Sequence, residues 1–203
     1  GIVLREVATA EGSDPEYIAN RGRSCFHCKT HLYSTLGVVA ATAAAASDAG
    51  RRRVVLFNGT NKDDRRDPTR VGLVAASDFG VASPIDTLTK DEVRSVAHEL
   101  GLPNWDAAAS PCLRSRLALG VAATPLRLQR IEAAESLVRT ELGLGATDNL
   151  RVRTLLGESA IVEVDGDRLG EATRRLETLR DGLLPLGFAS LQVKSFRSGS
   201  VSG

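Results

Sequence analysis

Apolar positions along the chain fall into runs whose period changes several times. "GIVLREVAT" (1–9) reads as a strand, and "SDPEYIAN" (13–20) as a short helix with Asp14 as N-cap and Pro15 at its first position. From Cys25 to Asp48, Phe26, Leu32, Leu36, Val39 and many alanines run up to Gly50 and predict a long helix. "RRVVLFNGT" (52–60) predicts a strand entering a Gly-Thr-Asn turn, and "TRVGLVAASDFG" (69–80) a helix. "LTKDEVRSVAHELGLP" (88–103) is a helix capped by Thr89 with Glu92 three residues on, and stopped by Gly101 and Pro103.

Strands alternating with helices up to about residue 105 imply a parallel sheet covered on both faces. The pattern then changes. An amphipathic helix (125–142) is followed by "LRVRTLL" and "SAIVEV", a hairpin turning at Gly157–Glu158. A helix over 167–187 and a last strand, "ASLQVKSF" (189–196), complete an α-β-β-α-β order. The expected fold class is therefore α/β, with a parallel-sheet domain over 1–122 and a small α+β domain over 123–203.

Composition narrows the class of protein without naming a function. The 203 residues suit one medium domain or two small ones. A net charge of +1 shows no global pull toward nucleic acid or membrane, and no apolar run reaches membrane-span length. Three cysteines, an odd number, argue against a disulfide scaffold and for a reducing compartment, with the cytoplasm expected. The chain has no methionine and opens directly into an apolar run, from which an N-terminally truncated chain is expected.

Four segments could carry chemistry. "NGTNKDD" (58–64) leaves the C-terminal end of an apolar strand, the edge at which open parallel sheets bind ligands; the alternative is a solvated turn with a capped helix start. Residues 104–120 form a long connection holding Trp105, Cys112, Arg114 and Arg116, where arginines beside a thiol favour thiolate. The alternative is a structural cysteine beside surface arginines. Arg151 and Arg153 share a strand face by period two and suit a phosphate or carboxylate, unless that face is merely solvated. Glu132 and Glu135 are acidic candidates at helix spacing.

Cys25 and Cys28 bracket His27, with His31 one helical turn beyond it. Zinc is disfavoured because no second, similarly spaced ligand pair exists, and a thioredoxin-like dithiol lacks its strand-to-helix context.

Taken in order, "NRGRSCFHCK" (20–29), "NGTNKDD" (58–64), "SPIDTLTKDEVRSVAHELGLPNWD" (83–106), "ASPCLRSR" (109–116), "LRVR" (150–153) and "FRSGS" (196–200) resemble the LarE family. These are ATP-dependent sacrificial sulfur transferases of the PP-loop pyrophosphatase group. The resemblance implies a PP-loop ATP pyrophosphatase-like domain followed by a substrate and oligomerisation domain. It implies adenylylation of a pyridinium biscarboxylic acid mononucleotide with ATP and Mg2+, then sulfur insertion, in the biosynthesis of a nickel-pincer nucleotide cofactor.

By that resemblance Cys112 is the sulfur donor in one branch. In the other branch Cys25, Cys28 and Cys112 hold a four-iron four-sulfur cluster with one open iron. Ser115, Arg116, Arg151 and Arg153 would grip the substrate phosphate. Glu135 and Glu163 would lie near the reacting cysteine, with Asp167 in the same acidic, metal-binding role. Gly59, Thr60, Asn61 and Asp64 would face the nucleotide.

The implied partner is a small mononucleotide, with a homo-oligomer expected and neither membrane nor nucleic acid. Three features depart from the family pattern. The Ser-Gly-Gly-x-Asp-Ser phosphate loop is absent, Arg23-Ser24 stand where Asp-Arg is usual, and Ala107-Ala108 stand where Lys-Pro is usual. Two alternatives remain: a PP-loop enzyme of tRNA thiolation, against which the near-neutral charge argues, and a non-catalytic nucleotide- or metal-binding remnant.

Overall fold

A computed structural model of the chain describes residues 4–45 and 54–197. The described residues of Gly1–Ile18 and Gly22–Pro103 form one compact unit, and those of Ala19–Arg21 and Asn104–Gly203 another. Residues 104–122, expected to close the first domain, pack within the second unit.

The first unit is helical. It holds α1 (Pro15–Ala19), α2 (Ser24–Ala45), α3 (Lys62–Arg66), α4 (Gly72–Asp78) and α5 (Lys90–Glu99). Local chemistry sets the starts of these helices. The Asp14 carboxylate accepts the Glu16 N–H at 2.8 Å ahead of α1. Capping boxes open α3 (Asn61 with Asp64) and α5 (Thr89 with Glu92). Helices α2 and α4 share a small core of Tyr33, Ala75 and Ala76, with Phe26, Leu32, Leu36, Leu56 and Val81 packed around it.

The strands expected here are largely not formed. Residues 4–9 are irregular and mostly exposed, while the first three residues of that run lie outside the described residues. Residues 46–53, which include the end of the expected long helix and the start of the second strand, also lie outside them. Beyond that point the chain makes one parallel bridge, Phe57 to Ala82. A β-branched run fits a strand only where a neighbouring edge pairs with it. Among the described residues Ala82 alone supplies such an edge, and Val54, Val55 and Phe57 stay exposed.

The second unit contains a 3-10 turn (Leu113–Arg116), α6 (Pro125–Glu141), β1 (Leu150–Thr154), β2 (Ser159–Val164), α7 (Leu169–Arg174), α8 (Leu176–Leu183) and β3 (Ser190–Ser195). Its sheet has the order β1-β2-β3, antiparallel between β1 and β2 and parallel between β2 and β3. The α/β class thus holds as a mixed chain with one small three-stranded sheet. The hairpin turns at Gly157 (φ 73°) and Glu158 (φ 58°). The Glu158 carboxylate binds Arg127 and Arg130 and fixes that turn to the start of α6.

The single helix expected over 167–187 is interrupted at Arg175 (φ −92°, ψ 14°) and ends in a 3-10 turn where Pro185 removes an N–H and Gly187 (φ 102°) reverses the chain.

Period two divides the sheet into two faces. Leu150, Val152, Ala160, Val162, Val164 and Leu191 join Ala134, Val138, Ala172, Leu179, Leu183 and Phe188 in the main core. The opposite face carries Arg151 beside Glu163 and Arg153 beside Ile161. The outer edge of β1 is closed by other means. Leu117 bridges to Thr154, Ala118 N–H donates to Thr154 O at 2.9 Å, and Val152 N–H donates to a Glu135 carboxylate oxygen at 3.0 Å. No helix among the described residues is long and apolar enough to cross a membrane.

Candidate active site

Three arginines hold the loop that carries Cys112, and each does so through backbone carbonyls. The Arg116 guanidinium donates through Nη1 to Pro111 O, and at 3.3 Å to Cys112 O. Arg151 donates to Ala109 O, and Arg153 to Ser115 O at 2.8 Å. Cys112 O also accepts the Ser115 N–H at 2.9 Å and the Ser115 hydroxyl at 2.8 Å, which closes the 3-10 turn. Cys112 itself is exposed. A backbone held by several hydrogen bonds thus carries a cysteine at the surface, and a thiol so placed could act as a nucleophile.

These arginines are buried rather than solvated: Arg116 is 1% exposed, Arg151 5% and Arg153 6%. Burial of charge demands partners. Arg116 pairs with Glu135 through two parallel bonds, Nε to Oε1 at 2.8 Å and Nη2 to Oε2 at 3.1 Å. Arg153 Nε pairs with Glu163 at 3.0 Å, both side chains nearly sealed from solvent. Arg151 has no carboxylate at ion-pair distance among the described residues; it bonds carbonyls of Leu150 and Ala109 and lies 5.3 Å from the Phe196 ring centroid. Burial lowers the pKa of its guanidinium, and the neighbouring charge of Arg116 acts in the same direction. The three guanidiniums of this cluster lie among the two carboxylates of Glu135 and Glu163, both of which also act on Arg151.

A cavity of about 320 Å³ lies beside this cluster, lined by Ala108–Ser110, Arg116, Glu135, Arg139, Leu144–Ala146, Asp148, Leu150 and Arg151. Arg139 lies in the last turn of α6 and donates to Gly145 O at 2.6 Å. It was not singled out in the sequence; the signal is an arginine at a helix C-terminus followed by Gly143 and Gly145. Asn20 and Arg114, which meet near the same loop, were also missed as a pair, being 94 residues apart.

Ser115, Arg116, Arg151, Arg153, Glu135 and Glu163 are therefore linked in one set of hydrogen bonds and ion pairs to the loop that carries Cys112. Both oxygens of Glu135 are engaged, by Arg116 and by the Val152 N–H. Asp167 is exposed in the turn after β2 and makes no ion pair among the described residues. Glu132 is exposed on α6.

In the first unit the Asn58–Asp64 turn is ordered by its own side chains. Asn58 Oδ1 accepts Thr60 N–H at 3.0 Å and the Ser83 hydroxyl at 2.8 Å, and Asn61 with Asp64 caps α3. Gly59 faces open space. Cys25 and Cys28 sit in the first two turns of α2, half-buried. His27 and His31, one turn apart on α2, converge on one Asp14 oxygen, at 3.5 and 3.0 Å.

A cluster held by three thiolates needs its ligands gathered. Among the described residues neither unit by itself gathers three His, Cys, Asp or Glu side chains that could hold a metal, and Cys25 and Cys28 belong to one unit and Cys112 to the other.

No protein-family model matches the chain. The chain is 33% identical over 208 residues to the uncharacterized protein slr1717 of Synechocystis sp., covering 100% of this chain and 72% of that protein. It is 30% identical over 205 residues to the pyridinium-3,5-bisthiocarboxylic acid mononucleotide synthase of Lactiplantibacillus plantarum, covering 96% of this chain and 69% of the enzyme. The chain belongs to the LarE family. A partial similarity extends beyond it: GMP synthase (glutamine-hydrolyzing) of Mycolicibacterium paratuberculosis is 37% identical over 101 residues, covering 47% of this chain and 19% of that enzyme. The Lactiplantibacillus plantarum relative and the GMP synthase are both synthases by name, which supports an enzyme.

Proposed function

We propose that this protein inserts sulfur into pyridinium-3,5-biscarboxylic acid mononucleotide after ATP-dependent adenylylation, a step in nickel-pincer nucleotide biosynthesis. The observation that carries the reading is the Cys112 loop, an exposed cysteine whose flanking carbonyls are held by Arg116, Arg151 and Arg153 next to a cavity lined by arginines and carboxylates. The similarity to the Lactiplantibacillus plantarum synthase, named for a pyridinium-3,5-bisthiocarboxylic acid mononucleotide, supports a substrate of this class. The similarity to GMP synthase supports a PP-loop type, ATP-using domain. Gly59, Thr60, Asn61 and Asp64 would face the nucleotide in this reading, with Mg2+ accompanying it.

In this reading ATP converts a substrate carboxylate into an acyl adenylate and releases pyrophosphate. The Cys112 thiolate attacks the acyl carbon and expels AMP, forming a thioester. Loss of the Cys112 Cα proton then breaks the Cβ–S bond, leaving thiocarboxylate on the product and dehydroalanine in the chain. The substrate phosphate is bound by Arg151, the guanidinium unmatched by a carboxylate, together with Arg116 on the cavity wall. Ser115 and Arg153 hold the loop from below. Glu135 and Glu163 orient these arginines.

The test is incubation with the mononucleotide, ATP and Mg2+, followed by mass spectrometry of the Cys112 peptide. The expected result is thiocarboxylate product with Cys112 lighter by the mass of hydrogen sulfide. Product formed with Cys112 intact overturns the sacrificial route.

A further inference from the structure

Asn20 opens one of the segments that the active-site reading leaves without a role. It is 0% exposed and holds φ 51°, in the left-handed region that asparagine enters more readily than other non-glycine residues. Its amide is fully used. Nδ2 donates to Ala118 O at 2.9 Å and Val121 O at 3.0 Å, while Oδ1 accepts from Arg114 Nη1 at 2.9 Å. Its backbone carbonyl accepts the Gly120 N–H at 3.0 Å. All of these residues belong to the second unit.

Arg114 lies inside the turn whose first carbonyl is that of Cys112, and the turn closes with Leu117 N–H donating to Arg114 O at 3.0 Å. Arg116 restrains the turn from one side, through Pro111 and Cys112. Asn20 restrains it from the other, through Arg114 and the 118–121 segment. The exposed Cys112 side chain springs from this backbone.

We propose that Asn20 is a positioning residue for Cys112, acting through Arg114. The proposal rests on Cys112 being the reacting group, and its test reads the thiol itself, so the two can fail separately. Asn20→Gly keeps the positive φ and removes the clamp. Asn20→Asp keeps the acceptor for Arg114, now charge-assisted, but turns a carboxylate toward two carbonyls. A purely structural role makes Asp at least as harmful as Gly.

The experiment measures the iodoacetamide alkylation rate of Cys112, resolved from Cys25 and Cys28 by peptide mass spectrometry, with melting temperatures alongside. N20G is expected to change the rate roughly fivefold or more, as is R114Q, and the double variant to change it by less than the product of the two. N20D is expected to restore a rate within about twofold of wild type despite a lower melting temperature. Val162→Ala, a core lesion elsewhere in the unit, is the control for destabilisation alone. A rate unchanged in N20G, or tracking melting temperature across the set, overturns the proposal. Should N20G not fold, an unchanged rate in R114Q overturns it equally.

Discussion

Glu135 and Arg116 face each other in a two-point ion pair, and the Glu135 oxygen that takes Arg116 Nε also takes the Val152 N–H at 3.0 Å. One carboxylate therefore closes the free edge of β1 and orients the guanidinium that holds the Cys112 loop. Removing it strands a charge that is 1% exposed. Glu135→Ala should destabilise the second unit by about 3–5 kcal/mol, the range for breaking a buried pair by losing one partner. Glu135→Gln keeps one acceptor and should cost less, about 1–3 kcal/mol. Urea unfolding followed by Trp105 fluorescence, with an unchanged denaturant slope, checks both values. Equal losses in the two variants would show that the pair's geometry contributes nothing.

Arg151 differs from Arg116 and Arg153 in having no carboxylate at ion-pair distance among the described residues, which makes it the candidate to meet an anionic ligand. Inorganic phosphate should raise the melting temperature of the wild type, because a ligand at about 100 times its Kd adds about 2.7 kcal/mol. Arg151→Gln should abolish most of that increment while costing less stability in buffer than Glu135→Ala. An equal phosphate response in R151Q and wild type would move the anion site elsewhere.

The sequence was most legible where local chemistry decides. Asn61, Thr89 and the Gly157–Glu158 turn set their elements through contacts within a few residues, and period two placed Arg151 and Arg153 on one face. Their burial was not legible, because alternating charge usually means a solvated face; the 109–116 loop covers it, and that loop is placed by long-range bonds such as Arg153 to Ser115. The resemblance to known sulfur transferases named Glu135 and Glu163, yet their occupancy by arginines depends on register and helix docking that no spacing reveals. The parallel sheet expected in the first half needs partner edges. Among the described residues only the Phe57–Ala82 bridge provides one.

Thr154 ends β1, is 1% exposed, and has a hydroxyl with no hydrogen-bond partner among the described residues. Its backbone is well used, pairing with Ala160 and accepting the Ala118 N–H. A buried, unpaired hydroxyl is a cost that an isosteric methyl removes. Thr154→Val keeps the β-branch that the strand favours and should stabilise the second unit by about 1 kcal/mol. A clear loss of stability on thermal unfolding would mean the hydroxyl bonds to something in solution.

Asp14 gives the first unit a dependence on acid. Its carboxylate accepts the His31 Nε2–H at 3.0 Å and the Glu16 N–H at 2.8 Å, with His27 Nδ1 at 3.5 Å. These contacts, the His31 bond foremost, hold its pKa below the ordinary 3.8. A carboxylate whose folded pKa is depressed adds stability above its unfolded pKa, and that stability is lost as pH falls through the folded value. Acidification below the ordinary aspartate range should therefore loosen the junction between residues 11–18 and α2. The Asp14 carboxyl carbon, followed by NMR, should titrate below 3.8. Asp14→Asn removes the titrating group, so its stability in this unit should fall less steeply over the same acid range. A D14N protein whose acid unfolding matches wild type would show that the cluster does not couple to folding.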